Sequence, residues 1–210
     1  MQASLSRFVL FWVMLATLVA WAIGVWGAWV PARAMGLTVL GVDMPEAVKF
    51  LPGVRSGQVS LWREAFLLPQ VVLSLALAVH AWQSRWPLPV WARGAMQLLA
   101  LMVALSMLPP AWSPASLRAP EWRLQVLFIL GCAVAAALSP VWRFLPAVVG
   151  DLLLAALGFV AGGLIAAYLN LVWPEFAAVY NAELPFGVGV WGMGAGVTGL
   201  LVLAGAHFRR

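Results

Sequence analysis

Residues Leu152–Trp173, LLLAALGFVAGGLIAAYLNLVW, form a run of 22 residues without a charged side chain. A helix of this length rises about 33 Å at 1.5 Å per residue, enough to cross a hydrocarbon core of about 30 Å. An apolar run of this length is typical of a transmembrane helix. The run therefore predicts a membrane span, and the rest of the chain is interpreted around it.

The composition extends this prediction to the whole chain. Of the 210 residues, 64% are hydrophobic and only 9% are charged, whereas a soluble domain is about half apolar and about a quarter charged. Mean hydropathy is +0.98. So few charges could not cover a water-exposed surface of this size, so the composition predicts an all-α integral membrane protein, a single polytopic bundle whose natural solvent is lipid.

Six apolar segments are long enough to be candidate spans. They are residues 8–30, 65–82, 92–112, 124–141, 146–173 and 188–208. The first follows Arg7 and could be mistaken for a signal peptide. Its 23 apolar residues exceed an ordinary signal-peptide core, and we interpret it as an uncleaved span.

Loop charges predict the orientation, because cytoplasmic loops of membrane proteins carry an excess of Lys and Arg. Basic residues are equally numerous on the two sides, but those on one side are concentrated in short segments. These are Arg7, Arg85, Arg93, Arg143, Arg209 and Arg210. The sequence therefore predicts a multi-pass protein of the cell (inner or plasma) membrane with both termini in the cytoplasm.

The longest loop, residues 31–64, lies on the predicted outer side. Within it, residues 43–51 predict a short amphipathic helix, because Met44, Ala47, Val48 and Leu51 recur at helical spacing. Asp43 is its expected N-cap, and Pro52-Gly53 its expected end. We expect this helix to lie on the membrane surface or against the bundle. A second helical turn is expected around residues 175–180, in the loop after the fifth span.

Tryptophan occurs 13 times, mostly near the predicted span ends. This distribution is typical of the aromatic belt, in which the apolar indole keeps its N–H at the wet interface. Only Trp21 falls towards the middle of a span.

Two segments resemble each other and raise the possibility of an internal repeat. Trp62–Val72 and Trp142–Val149 each contain Trp-Arg, a following proline and paired valines, and each precedes the middle span of its half. The second span enters from outside and the fifth from inside, as a three-plus-three inverted repeat requires. The alternative is that each segment is an ordinary interface anchor with proline in a first helical turn.

Polar residues within spans are the default functional candidates. Asp151 is interpreted as the N-cap of the fifth helix, with pairing to Arg143 or proton relay as the alternative. His80 is expected at the membrane interface rather than as a ligand. The neutral candidates for hydrogen bonds between helices are Gln70, Gln97 and Asn170.

Glycines predict close helix packing. Gly158–Gly162 and Gly192–Gly196 are each a G-x-x-x-G pattern, and Gly163 adds a further small residue. Small residues let helix backbones approach each other. We expect spans five and six to pack tightly, either together or against a partner subunit.

The sequence lacks the residues that several classes of function require. Cys132 is the only cysteine, so neither an intrachain disulfide nor a cysteine metal cluster is possible. The basic residues are scattered, which argues against nucleic acid. Neither a catalytic motif nor a paired intramembrane carboxylate is present, and no cofactor is indicated.

The sequence favours a non-catalytic subunit that scaffolds or stabilises a larger membrane complex, with other membrane subunits or its own copies as partners. The alternative is a small transporter or channel built on the inverted repeat.

Overall fold

The structure is a computed structural model that describes residues 2–31, 38–109 and 112–208. It is 77% helical with almost no sheet, which confirms an all-α fold. Within these described ranges, five helices are long and apolar enough to span a membrane. The helices are α1 (Gln2–Trp26), α2 (Met44–Ala47), α3 (Pro52–Arg55), α4 (Leu68–Trp82), α5 (Val90–Leu105), α6 (Arg123–Ala137), α7 (Ala147–Tyr180) and α8 (Val188–Gly205).

The six longer helices run alternately up and down between two ends of the bundle. One cavity is lined by Arg7, Trp86, Ala147 and His207. One end of the bundle therefore contains the start of α1, the segment after α4, the start of α7 and the segment after α8. We call it the Arg85 end. At the opposite end, Lys49 forms an ion pair with Glu121, just before α6.

The central helix is α4, which contacts α1, α5, α6 and α7. Nearly all of its side chains are buried, including Val72 and Ala76. The outer faces of the surrounding helices instead expose large apolar side chains, such as Leu98 on α5, Leu127 on α6 and Phe159 on α7. Continuous apolar surface of this kind is costly in water and is compatible with lipid.

Glycines bring α1 and α8 into close contact. A Cβ atom on Gly192 would lie 2.9 Å from both the Ala20 carbonyl oxygen and the Gly24 amide nitrogen. A Cβ on Gly196 would lie 2.8 Å from the Trp21 indole. Trp21 is fully buried, so the mid-span tryptophan fills core space that glycine leaves open.

The predicted packing of spans five and six is present as contact between α7 and α8. Cβ atoms on Gly158 and Gly162 would lie 2.8 Å from Leu200 and 3.1 Å from Val197, respectively. The Gly192–Gly196 pattern, however, faces α1. Gly163 faces open space, since a Cβ atom added there would have no neighbour within 4 Å.

The long first loop folds over the end of the bundle opposite Arg85. Strands β1 (Ala28–Val30) and β2 (Val39–Leu40) pair antiparallel. The Trp29 indole donates to the Gly24 carbonyl oxygen at 2.7 Å. The Gly53 amide donates to Glu175 on α7 at 2.8 Å. These bonds connect the loop to both α1 and α7.

A charged network closes the same end. Lys49 and Arg63 both pair with Glu121, at 3.2 and 3.0 Å. Both cations also lie over the Trp122 ring, 4.5 and 4.8 Å from its centroid. This arrangement joins the first loop to the segment before α6 through exposed contacts, which contribute little individually.

Several predicted span boundaries are wrong. The first span ends at Trp26 rather than residue 30, because Ala28–Val30 forms a strand. The second begins as a 3-10 helix, Arg63–Leu67, that leads into α4. The fourth ends at Ala137 and a 3-10 helix, Ser139–Phe144, follows it. The third predicted span corresponds to the 16-residue α5, about 24 Å long, which is shorter than the five continuous helical stretches that could cross a membrane.

The fifth span does not end at Trp173. Helix α7 continues through Pro174 to Tyr180, so the separate turn expected around residues 175–180 belongs to the same helix. It ends where Asn181 adopts a left-handed conformation, with φ of 49°. Its 34 residues rise about 51 Å, well beyond the hydrocarbon thickness of about 30 Å. The last turns carry Glu175 to the first loop, where it accepts a hydrogen bond from Gly53.

The predicted helix at residues 43–51 is divided into shorter pieces. Residues Met44–Ala47 are α-helical and Val48–Phe50 form a 3-10 turn. Asp43 is the N-cap residue of α2 as expected, but its side chain makes no capping hydrogen bond. The helical stretch ends at Leu51, before Pro52-Gly53 as expected, and Pro52 then begins α3. Met44, Val48 and Leu51 are buried, so the segment packs against the bundle, one of the two expected positions.

Candidate functional site: a buried charge cluster at the Arg85 end

The site begins with an aspartate inside a helix. Pro146 is the N-cap of α7 and the helix starts at Ala147, which places Asp151 in the second turn. Its side chain is 0% exposed. The interpretation of Asp151 as an N-cap is therefore wrong, because the helix begins four residues earlier.

Asp151 is paired with Arg85, not with Arg143. Arg85 Nη2 lies 2.5 Å from Asp151 Oδ1. Arg143 is exposed and stacks over Phe144, 4.4 Å from the ring centroid. A buried carboxylate is costly unless it is paired and hydrogen-bonded, and Arg85 supplies that pairing.

Two further side chains complete the shell of the Asp151 carboxylate. His207, just beyond α8, places Nε2 2.8 Å from Oδ2. The same Nε2 lies 3.2 Å from Arg85 Nη1, so His207 contacts both members of the ion pair. The Gln83 amide donates to Oδ1 at 3.4 Å. Asp151 thereby connects α7, the segment after α4 and the end of α8.

His80 lies inside this cluster and not at the interface, which corrects the sequence-based expectation. It is 1% exposed. Its Nδ1 lies 3.2 Å from Gln83 Oε1 and 4.0 Å from Asp151 Oδ1. The imidazole therefore orients the Gln83 amide towards the carboxylate.

A glycine makes room for the cluster. A Cβ atom on Gly150 would lie 2.7 Å from Gln83 Nε2 and 2.8 Å from Val79 Cγ1. Helix α4 ends at Trp82, and Gln83 has extended backbone angles, which turn the chain across the start of α7. The absence of a side chain at Gly150 allows this approach.

The other polar candidates lie elsewhere. The Gln70 amide is buried and faces the carbonyl oxygens of Leu67 and Phe66, at 3.0 and 3.3 Å. Gln97 donates to the Ala136 carbonyl oxygen at 2.8 Å, and so joins α5 to α6. Asn170 is exposed on α7. The structure therefore brings Asp151 and His80 together and leaves the three neutral candidates apart.

Sequence reasoning missed Arg85, Gln83 and His207 as partners of Asp151. One signal was available: His80, Gln83 and Arg85 occur within six residues at the end of an apolar span, an unusual density of polar groups there. No local signal pointed to His207, because its contact with Asp151 depends on how α8 packs.

The Asp151 carboxylate contacts three polar side chains, Gln83, Arg85 and His207, which come from two separate segments of the chain. Within residues 2–31, 38–109 and 112–208, no group of three or more His, Cys, Asp and Glu side chains is placed to bind a metal ion.

The fold and site define a helical protein with several helices suited to a membrane and a buried ion pair at one end. Comparisons with protein families, curated proteins and solved structures gave no significant match.

Proposed function

We propose that this chain is a non-catalytic, multi-pass subunit of the cell membrane that scaffolds or stabilises a larger membrane complex. The observation that carries the proposal is a groove between α5 and α6, about 280 Å³ in volume. Its walls are mainly small or apolar: Gly94, Leu98, Leu101, Ala133, Ala136 and Ala137, together with Gln97.

The groove suits a helix from another subunit or a second copy. A Cβ atom on Gly94 would have no neighbour within 4 Å. Glycine inside a helix lowers helix stability by about 1 kcal/mol relative to alanine. At Gly94 no packing contact within the chain offsets this loss. Small residues at an open helix surface are what transmembrane helix association uses.

Filling the groove should separate the chain from its partners. We expect Ala133→Phe to migrate as a folded monomer after extraction in a mild detergent, because the ring occupies the space of the partner helix. The wild type and Leu127→Phe should migrate as a larger assembly, since Leu127 is on the same helix, 61% exposed and outside the groove. Light scattering coupled to size-exclusion chromatography measures the difference. A monomeric wild type, or an intact assembly with Ala133→Phe, would count against the proposal.

Transport by a three-plus-three inverted repeat has weaker support. The two similar segments do share a 3-10 helix followed by an α-helix. However, α4 is buried at the centre whereas α7 exposes much of its surface, so the two helices occupy different environments. Gln70, Gln97 and Asn170 also do not converge on Asp151.

The proposed topology has six crossings, with α5 as the shortest. Its 16 residues are extended by turns in which Met107 and Leu108 donate to Ala104 and Leu105. The Arg85 end is assigned to the cytoplasm because the arginines at that end, among them Arg7, Arg85, Arg93 and Arg143, lie in short segments, whereas most basic residues of the other end are spread over the long first loop.

Cysteine labelling tests this topology in a Cys132→Ser background. Ser60→Cys, Ala115→Cys and Ala182→Cys should react with an impermeant maleimide in intact cells, whereas Ser84→Cys should react only after permeabilisation. These four positions are exposed, so reactivity reports sidedness. The reverse pattern would mean an inverted protein, and equal reactivity at 84 and 115 would mean that α5 does not cross.

A further inference from the structure

A cavity of about 120 Å³ lies beside the charge cluster. Its polar lining consists of Arg7 from the start of α1, Arg85 and Trp86 from the segment after α4, and His207 from just beyond α8. A cavity needs roughly 10–15 Å³ of volume to hold one water molecule. The cavity is therefore large enough for a group of several atoms.

The charges around the cavity favour an anion. Arg7 and Arg85 are permanently protonated. Among the residues that the structure describes, Asp151 is the carboxylate paired with Arg85, and Arg7 contributes a second guanidinium to the cavity wall. The described charges at the cavity are therefore net positive, which favours an anion over a cation.

Trp86 holds Arg85 beside the cavity. Its side chain is 2% exposed, and the Arg85 guanidinium lies 4.1 Å from the ring centroid. Both residues line the cavity, so this stacking keeps the Arg85 charge at its wall.

We propose that the cavity binds a phosphate group, and that its source is the head group of an anionic phospholipid. Basic pockets between transmembrane helices at the cytoplasmic side are sites of this kind. Phe8 and Val9, next to Arg7, are exposed and apolar, so acyl chains can continue along α1 from the head group. The proposal requires membrane insertion and does not depend on the subunit function.

Native mass spectrometry of the purified, detergent-solubilised full chain tests the proposal. The probes are phosphatidylglycerol, phosphatidylcholine and orthophosphate. The variant Arg7→Gln removes a charge from the cavity wall, and Arg7→Lys keeps a positive charge at the same position. Arg143→Gln is the matched control, since Arg143 is at the same end, exposed and outside the cavity.

We expect phosphatidylglycerol to bind the wild type, Arg7→Lys and Arg143→Gln similarly, and Arg7→Gln about tenfold more weakly, the usual effect of losing a charge-assisted hydrogen bond. Phosphatidylcholine should bind more weakly than phosphatidylglycerol. Displacement of the lipid by millimolar orthophosphate would assign the cavity to soluble phosphate instead. Equal binding by all variants, or equal binding of both lipids, would overturn the proposal. Circular dichroism of each variant separates lost binding from lost folding.

Discussion

Arg85→Gln should lower the thermal unfolding temperature in detergent by about 10 °C or more. The substitution leaves the Asp151 carboxylate, 0% exposed, without its cationic partner. Removal of one member of a buried ion pair typically costs about 3–5 kcal/mol, because the remaining charge stays desolvated. Intrinsic tryptophan fluorescence during heating measures the change, since Trp86 lies against Arg85.

The double variant Arg85→Gln/Asp151→Asn distinguishes charge from packing. It removes both charges, so it should recover much of the stability that Arg85→Gln loses. Arg143→Gln should remain close to the wild type, because Arg143 is exposed. If Arg85→Gln and Arg143→Gln unfold at the same temperature, Asp151 is not held by a buried pair. If the double variant is no more stable than Arg85→Gln, the loss comes from packing.

Gly192→Leu should destabilise the bundle by about 3 kcal/mol, at the upper end of the usual cost of overpacking. A Cβ atom there would lie 2.7 Å from Ile23 Cγ2 and 2.9 Å from backbone atoms of Ala20 and Gly24. Backbone atoms cannot rotate aside, so α1 and α8 would have to separate. We expect a lower yield of monodisperse protein and a lower unfolding temperature.

Gly194→Leu is the matched control on the same helix. A Cβ atom at Gly194 would have no neighbour within 4 Å, and leucine has a higher helix propensity than glycine. We expect this variant to unfold at or slightly above the wild-type temperature in detergent. Equal destabilisation by both substitutions would mean that the glycines matter for helix propensity or insertion rather than for the α1–α8 contact.

Hydropathy located the helical segments correctly because apolar length is a property of the local sequence. The run from Leu152 to Trp173 lies inside α7, and Val188 begins α8 as expected. The ends were less accurate. The fifth span was predicted to end at residue 173, but α7 continues through Pro174, as membrane helices can. The continued helix brings Glu175 to its hydrogen bond with Gly53.

The site was less predictable than the helices. Asp151 was recognised as an intramembrane candidate, and His80 as a polar residue near a span end. The roles of Asp151 and His80 were misassigned because the surroundings of each side chain include the other. Asp151 is buried only because Gly150 lets the Gln83 segment approach, and because α8 brings His207 to within 2.8 Å of it.

The sequence by itself determined that this chain is a helical protein with several segments suited to a membrane, and where most of those segments lie. Apolar length and charge depletion are sufficient for that, since each helix satisfies its own backbone hydrogen bonds. Only the tertiary structure decided which cation pairs with Asp151 and which glycines face another helix. Both depend on helix rotation and on contacts between residues far apart in the chain, 66 positions in the case of Arg85 and Asp151.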